Sequence, residues 1–405
     1  MNQKQESLNN KISKKKSKSK NKSKPKNKKT NEPSQTLFSI YLGTYEGKII
    51  VNNINIKTKE NISNFSFTSS QNAIRTIYHK SGSLFVSGTD EIIHMFDVSK
   101  KVSEGDLMTY SGSVNDIKIS NNYLIVAGEN NTIPIWRMSD FNNIIELKGH
   151  KKAINSIDIH SSGGILVSAS RDKCVIIFDL LTGRKIEKFE FDFICNKVEL
   201  FDKDKYLMVV FDLHVYILDL MKNSHGNDNI IQKLNFNKKI LNAFVVKNKL
   251  IILFTDGEII TYKLNIKDEE NTNNENKEKE EEIIIDKETY EEGADIININ
   301  SKLNFCLEKP SKKNENDLDI KARFVSISKK DKIRIITISY SNNEVYFYDL
   351  NKIIKYEQIE IKKEIKNEIK EEKDENNVNY IKKYGKIEYN IPEKITALDS
   401  ELIKI

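Results

Sequence analysis

Residues 165–180 read ILVSASRDKCVIIFDL: an apolar run, a small polar interruption, a second apolar run and an Asp-Leu stop. The same phrase recurs along the chain. Residues 84–98 read LFVSGTDEIIHMFDV, 206–220 read YLMVVFDLHVYILDL, 250–264 read LIILFTDGEIITYKL and 333–350 read IRIITISYSNNEVYFYDL. Runs rich in Ile, Val, Phe and Tyr, bounded by Asn, Asp, Gly, Ser and Lys, are the pattern of short strands joined by tight turns.

The spacing decides the architecture. Successive units end at Val98, Met138, Leu180, Leu220 and Leu264, in steps of 40, 42, 40 and 44 residues. A repeat of about 40–45 residues made of four strands is the blade of a WD-type β-propeller. One such blade cannot cover both of its own faces, so each needs a neighbour on either side, and closing the ring leaves none unpaired.

The expected fold is all-β: a seven-bladed WD-repeat β-propeller with a disordered basic N-terminal tail and low-complexity insertions. The blades fall at 37–67, 73–110, 113–148, 153–189, 194–236, 240 to about 305, and about 320 to 390. The first lacks an inner strand, and ITALDSELI at 395–403 reads as the missing piece. The expected organisation is a tail over 1–36 and a propeller over 37–405. Charged insertions at about 267–282 and 355–378 interrupt it, and a C-terminal strand at about 394–403 closes the first blade.

The clearest unit runs from Gly149-His150 through strand AINSIDIH, strand ILVSAS, the turn Arg171-Asp172-Lys173 and strand CVIIFDL. In a WD repeat, His, Ser/Thr, Asp and Trp form a hydrogen-bonded chain that fastens the entry loop onto the blade. His150, Ser170 and Asp172 match that pattern, but Phe178 stands where Trp is usual and has no N–H to donate. A three-member structural network of His150, Ser170 and Asp172 is therefore expected. The same trio has the residue types of a catalytic triad, but a hydrolase needs an exposed serine and an oxyanion hole, and no GxSxG elbow surrounds Ser170.

Trp136, in TIPIWRM, is read as a packing residue. Pro134 removes one ladder donor from its strand, and Arg137 replaces the usual Asp as a surface variation.

The totals narrow the class further. Of 405 residues, 38% are hydrophobic and 31% charged, which is polar for a globular chain. No apolar run is long enough to cross a bilayer, and no apolar centre follows the first lysines, so neither a membrane partner nor a secretory signal is expected. Cys174, Cys195 and Cys306 are widely spaced without a CxxC pair, and the six histidines are scattered singly. Neither pattern supports a disulfide framework or a metal site, and no cofactor is expected.

The net charge of +6 is an average over unlike parts. Residues 11–29 hold eleven lysines and no acid, whereas 267–292 hold twelve acids against four lysines, leaving a body near neutrality. The tail carries too little apolar surface to repay ordering. Lys14, Lys15, Lys16, Lys28 and Lys29 are its densest pieces and read as a nuclear or nucleolar address. Aromatic residues are absent before Phe38, so any rRNA contact by the tail is non-specific attraction to phosphates.

Two stretches go beyond a generic repeat. SGTDEIIHMFDV (87–98) and GHKKAINSIDIHSSGGILVSASRDKCVIIFDLLTGRK (149–185) resemble the second and fourth repeats of the PAK-interacting-protein family. LGTYEGKIIVNNI resembles its first repeat and VVFDLHVYILDL its fifth, so the resemblance covers residues 37 to about 264. That family comprises nucleolar WD-repeat factors of large ribosomal subunit assembly. The resemblance implies a non-enzymatic scaffold in pre-60S biogenesis and rRNA maturation, located in the nucleolus or nucleus. Implied partners are pre-60S ribosomal proteins and assembly factors, with a protein kinase as a further partner. One rival reading is a cytoplasmic signalling scaffold or regulator of a p21-activated-type kinase. The other is an enzyme using the central channel, for which the inner strands offer only Asp116, Asp158, His79 and His160. No Walker loop, kinase signature or paired-carboxylate motif is present to support the second.

Overall fold

The computed structural model describes residues 36–56, 58, 61–69, 72–109, 112–222, 226–246, 249–266, 297–307, 320–330, 333–342, 344–351, 379–381, 385–387 and 394–404. The lysine tail, with Lys14, Lys15, Lys16, Lys28 and Lys29, and both charged insertions lie outside the described residues.

The chain from Thr36 onward builds seven sheets. Blade one comprises β1 (Thr36–Thr44), β2 (Lys48–Asn55) and β3 (Asn61–Thr68). Blade two comprises β4 (Ile74–Lys80), β5 (Ser83–Gly88), β6 (Ile92–Asp97) and β7 (Val102–Met108). Blade three runs through β8 (Val114–Ser120), β9 (Tyr123–Gly128), β10 (Thr132–Arg137) and β11 (Asn143–Lys148). Blade four runs through β12 (Ile154–Ile159), β13 (Ile165–Ser170), β14 (Cys174–Asp179) and β15 (Lys185–Glu190). Blade five holds β16 (Lys197–Phe201), β17 (Tyr206–Val210), β18 (His214–Asp219) and β19 (Ile230–Asn235). Blade six holds β20 (Ile240–Val246), β21 (Lys249–Phe254), β22 (Glu258–Ile266) and β23 (Ile297–Leu307), and blade seven begins with β24 (Ala322–Lys330), β25 (Ile333–Tyr340) and β26 (Val345–Asp349).

The last strands cross between sheets. β27 (Asn379–Ile381) adds in parallel to the outer edge of β23, β28 (Gly385–Ile387) completes blade seven, and β29 (Ile395–Lys404) returns to blade one. β29 pairs antiparallel with β1 from Thr36↔Lys404 to Thr44↔Ile395, with a register shift after Gly43. A Cβ at Gly43 would stand 2.5 Å from Ile74 of blade two, so this close approach requires glycine. The span read as blade seven therefore contributes a fifth strand to blade six. The unpaired N–H and C=O groups of β23's edge supply the driving force.

The core is seven apolar layers, each shared by two adjacent blades. Val167, Val175 and Phe189 of blade four meet Leu207, Val209 and Leu218 of blade five. Ile125, Ile133 and Ile135 of blade three meet Ile157, Leu166 and Phe178 of blade four. Closure uses the same device: Phe38, Ile40 and Ile50 of blade one pack on Ile335, Val345 and Phe347 of blade seven. A fully buried Phe or Ile contributes about 1.5–3 kcal/mol through the area removed from water. A blade without its neighbours forfeits that on both faces.

In blades two, four, five and seven an Asp ends the third strand and closes the following turn. Asp179 accepts the Leu181 N–H at 2.8 Å, Asp219 the Met221 N–H at 2.8 Å and Asp349 the Asn351 N–H at 2.9 Å. Blade three lacks that Asp, and Asp140 takes over: it accepts the Asn142 N–H at 3.2 Å and the Arg137 guanidinium at 3.0 Å. Arg137 is thus half of a turn-closing pair and more than a surface variation. Pro134 leaves its mark as well, since the β9–β10 ladder begins only at Ile135.

Candidate functional site

Three places in this ring hold residues with chemical potential: the network of blade four, the central channel and the face bearing the β13–β14 type of turn.

In blade four, His150 Nδ1 lies 3.1 Å from Asp172 Oδ2 and Nε2 lies 2.7 Å from the Ser168 hydroxyl. The ring has no contact with Ser170. That hydroxyl donates toward the Lys152 and Ala153 carbonyls and accepts the Asp172 N–H at 3.1 Å. His150, Ser170 and Asp172 are thus joined through Asp172, and Ser168 is an additional member. Ser168 and Ser170 lie two apart on β13, so they share one face, and the position of the entry loop selects the former.

Burial lowers the His150 pKa, against the raising influence of Asp172. A neutral ring that donates Nδ1–H to the carboxylate presents its Nε2 lone pair to the Ser168 hydroxyl. Burial penalises the charged form of Asp172 too, but the Lys151 N–H at 2.7 Å and His150 hold its pKa below the usual carboxylate value. The order Ser–His–Asp is that of a hydrolytic triad, yet Ser168 is 0% exposed. No substrate carbonyl reaches its Oγ, so the arrangement fastens the Gly149-His150 loop to the blade. Phe178 meets the His150 ring edge-on, with centroids 6.4 Å apart.

Blade two contains a related device that spacing alone does not reveal. His94 on β6 sets Nε2 3.1 Å from Asp90 in the preceding turn and Nδ1 2.7 Å from Asp106 across the ladder on β7. Only the pairing register, His94↔Asp106, brings these three together. In blade three, Trp136 packs among Phe85, Met95 and Leu124. Its buried indole nitrogen finds no acceptor among the described residues.

The channel, a cavity of ≈ 770 Å³, is lined by the innermost strands β4, β8, β12, β16, β20, β24 and β29. Several of its charges are spent on the wall itself. Asp116 accepts the Ile157 N–H at 3.0 Å, Asp158 accepts the Leu200 N–H at 2.8 Å, and Asp399 accepts the His79 N–H at 3.0 Å. Each bond crosses from one blade to the next. Lys118 sits 3.9 Å from Asp158; burial works to lower its pKa, but Asp116 and Asp158 outweigh that and raise it. Lys197 donates to Glu199 at 2.9 Å and to the Ala243 carbonyl at 2.7 Å. His79 stacks on Tyr41, and His160 accepts the Ser162 N–H at 3.1 Å. Asp116, Asp158 and His79 therefore belong to the ring's fastening, and His160 to a surface turn.

At one mouth of the channel, register shifts in β4, β8, β12, β20 and β24 set Arg75, Asn115, Asn155, Leu241 and Arg323 out of the ladder. Such bulges re-aim side chains, and all five line the cavity. Arg75 pairs with Glu129 at 2.8 Å and Asn155 accepts the Arg171 guanidinium at 3.1 Å. This face carries the turns after β5, β9, β13 and β17.

Seven shared layers and a repeating turn-closing Asp define the class: the protein is a seven-bladed WD-repeat β-propeller, the architecture of a protein-binding scaffold. Residues 141–179 match the family model described as WD domain, G-beta repeat. Over 203 residues the chain is 27% identical to the p21-activated protein kinase-interacting protein 1-like of Danio rerio, covering 48% of this chain and 50% of that protein. Over 287 residues it is 25% identical to Protein MAK11 of Saccharomyces cerevisiae, covering 61% of this chain and 68% of the yeast protein. A WD repeat-containing protein 89 homolog of Dictyostelium discoideum is 30% identical over 192 residues, 45% of this chain and 48% of that protein. The match thus spans about half the length of the zebrafish relative.

Proposed function

We propose that the chain is a non-enzymatic WD-repeat scaffold in large ribosomal subunit (pre-60S) biogenesis and rRNA maturation, working in the nucleolus. Its output is contact with pre-60S ribosomal proteins and assembly factors, and the lysine tail adds a salt-sensitive attraction to rRNA phosphates. The observation that carries this reading is the resemblance of residues 37–264 to the nucleolar assembly factors. It is strongest in the turns at Thr89–Ile93 and Ser170–Lys173, which stand on one face of the ring. The blade-four network and the channel carboxylates Asp116 and Asp158 support it from the other side, because they are engaged in holding the ring together.

The test is affinity purification of the tagged chain from its own cells. Co-purification of large-subunit proteins, assembly factors and precursor rRNA is the expected result. The name carried by the vertebrate relatives favours one other reading, a cytoplasmic regulator of a p21-activated-type kinase. Recovery of a kinase without ribosomal precursors would establish it instead.

A further inference from the structure

The loop that enters blade five and the turn that follows β17 meet on the face described above. The loop Phe191–Asn196 lies over that turn: the Asn196 side chain donates to Asp212 at 2.8 Å, and the Phe193 ring packs on His214, tilted by 30° with centroids 4.1 Å apart. Three apolar side chains are left outside the core there, Phe193 38%, Ile194 47% and Leu213 39% exposed. Neighbouring large apolar residues on one soluble surface mark a contact site more often than singly scattered ones do.

The cations beside them are unevenly committed. Toward blade six, Lys239 is paired with Asp212 and Lys238 with Asp256 and Glu258. Toward blade four the balance is different. The Cys195 N–H binds the Ser170 carbonyl and the Phe191 N–H binds the Lys173 carbonyl, which holds the Arg171–Lys173 turn beside the loop that carries Phe193 and Ile194. Among the described residues the Arg171 side chain bonds only to the neutral Asn155 amide, and Lys151, Lys152 and Lys173 are exposed to solvent. Asp172, between them, is already bound by His150 and the Lys151 N–H. The exposed Asp192 of the same loop influences Tyr216, toward the outside of blade five.

We infer that Phe193, Ile194 and Leu213, with Arg171 and Lys173 beside them, are the docking site for a partner-protein segment that carries apolar side chains flanked by acidic residues. The inference rests on the scaffold reading and names the surface and the chemistry of the contact. Ile194 and Leu213 offer aliphatic surface for an apolar anchor, and Arg171 and Lys173 select carboxylates at the rim, where charge steers encounter and excludes basic competitors. An RNA strand is the poorer fit. Base stacking needs free aromatic faces, and the Phe193 ring is already packed on His214 and Phe211, while the other exposed apolar side chains there, Ile194 and Leu213, are aliphatic.

The experiment uses the full chain and three labelled probes: a peptide with a Leu-Leu-Phe core flanked by glutamates, the same core flanked by lysines, and an oligouridylate. The parent chain is compared with Ile194→Glu/Leu213→Glu and with Arg171→Glu/Lys173→Glu. All four side chains are exposed, so the circular dichroism spectrum and melting temperature serve as the folding control. The expected result is binding of the glutamate-flanked peptide that weakens about tenfold or more in both variants, with the lysine-flanked peptide weaker throughout. Equal binding by parent and variants overturns the inference, as does a preference for the lysine-flanked peptide. Loss of oligouridylate binding without loss of peptide binding overturns it in favour of RNA. In cells, a parent chain that recovers large-subunit precursors and an Ile194→Glu/Leu213→Glu variant that recovers them equally would remove this surface and leave the scaffold reading intact. A parent chain that recovers none would remove the scaffold reading, whatever the peptides show.

Discussion

The Asp116 carboxylate on β8 accepts the backbone N–H of Ile157 on β12 at 3.0 Å and the Ser156 hydroxyl at 3.2 Å. One blade on, Asp158 receives Leu200, and across the closure Asp399 receives both His79 of blade two and, at 3.2 Å, Ser326 of blade seven. A carboxylate that caps a neighbour's N–H cannot be deleted without leaving that donor unpaired. Asp116→Ala should therefore cost about 1–3 kcal/mol, measured as a lower urea midpoint with an unchanged slope. A midpoint within error of the parent's would mean that the ring is held by its apolar layers alone.

The His150–Asp172 pair sets a direction for pH. An unfolded His titrates near about pH 6.5, while burial keeps the folded His150 neutral to lower pH. Below the unfolded value the unfolded chain binds a proton that the folded chain refuses, so this contribution is complete at higher pH and lost on acidification. Asp172, held low in the fold, loses its own contribution further down, in the same direction. The melting temperature should fall on going from about pH 7.5 to about pH 5.5, and His150→Asn should flatten that fall. An unchanged pH profile in the variant would show that the ring does not titrate as its burial requires.

Ser168 and Ser170 can be separated by substitution. Ser168→Ala removes the partner of His150 Nε2 in a site with no solvent and should cost about 1–2 kcal/mol. It should also move the imidazole resonances in NMR. Ser170→Ala keeps both partners of the His150 ring and reaches it only through the Asp172 N–H, so those resonances should move less.

Trp136 is the only tryptophan. Its indole nitrogen is buried without an acceptor among the described residues, so Trp136→Phe should change stability by less than about 1 kcal/mol. Trp136→Ala opens a cavity against Phe85 and Met95 and should cost about 3–5 kcal/mol. Far-ultraviolet circular dichroism is the readout, because the fluorescence leaves with the residue.

The address reading of the tail has its own test. Replacing Lys14, Lys15, Lys16, Lys28 and Lys29 by Gln should move a fluorescent fusion out of the nucleolus and flatten the salt dependence of RNA binding. A fusion that keeps its distribution would reject the address.

What could be read in advance follows a physical divide. The fold was legible because its cause is periodic: burying both faces of each blade forces the 40–44-residue rhythm, and the turn-closing Asp179 and Asp219 recur with it. The partner of His150 was not legible to one residue, since Ser168 and Ser170 share a face of β13 and only the loop's position decides between them. The His94 device stayed hidden because Asp106 reaches it across a ladder, and register is a property of two strands. Asp116 and Asp158 stood out as inner-strand acids, yet only the adjacent blade reveals that each caps a neighbour's N–H. The crossing of β27 to blade six is non-local in the same sense. The apolar trio at Phe193, Ile194 and Leu213 depends on two loops meeting, which no window of sequence contains.

The most direct measurement is sedimentation of the endogenously tagged chain through a sucrose gradient, with fractions scored for precursor rRNA. The account predicts that the chain travels in the fractions of large-subunit precursors and returns to the top when those precursors are depleted. A chain found only in the slow fractions, with precursors abundant and the protein folded, would contradict it.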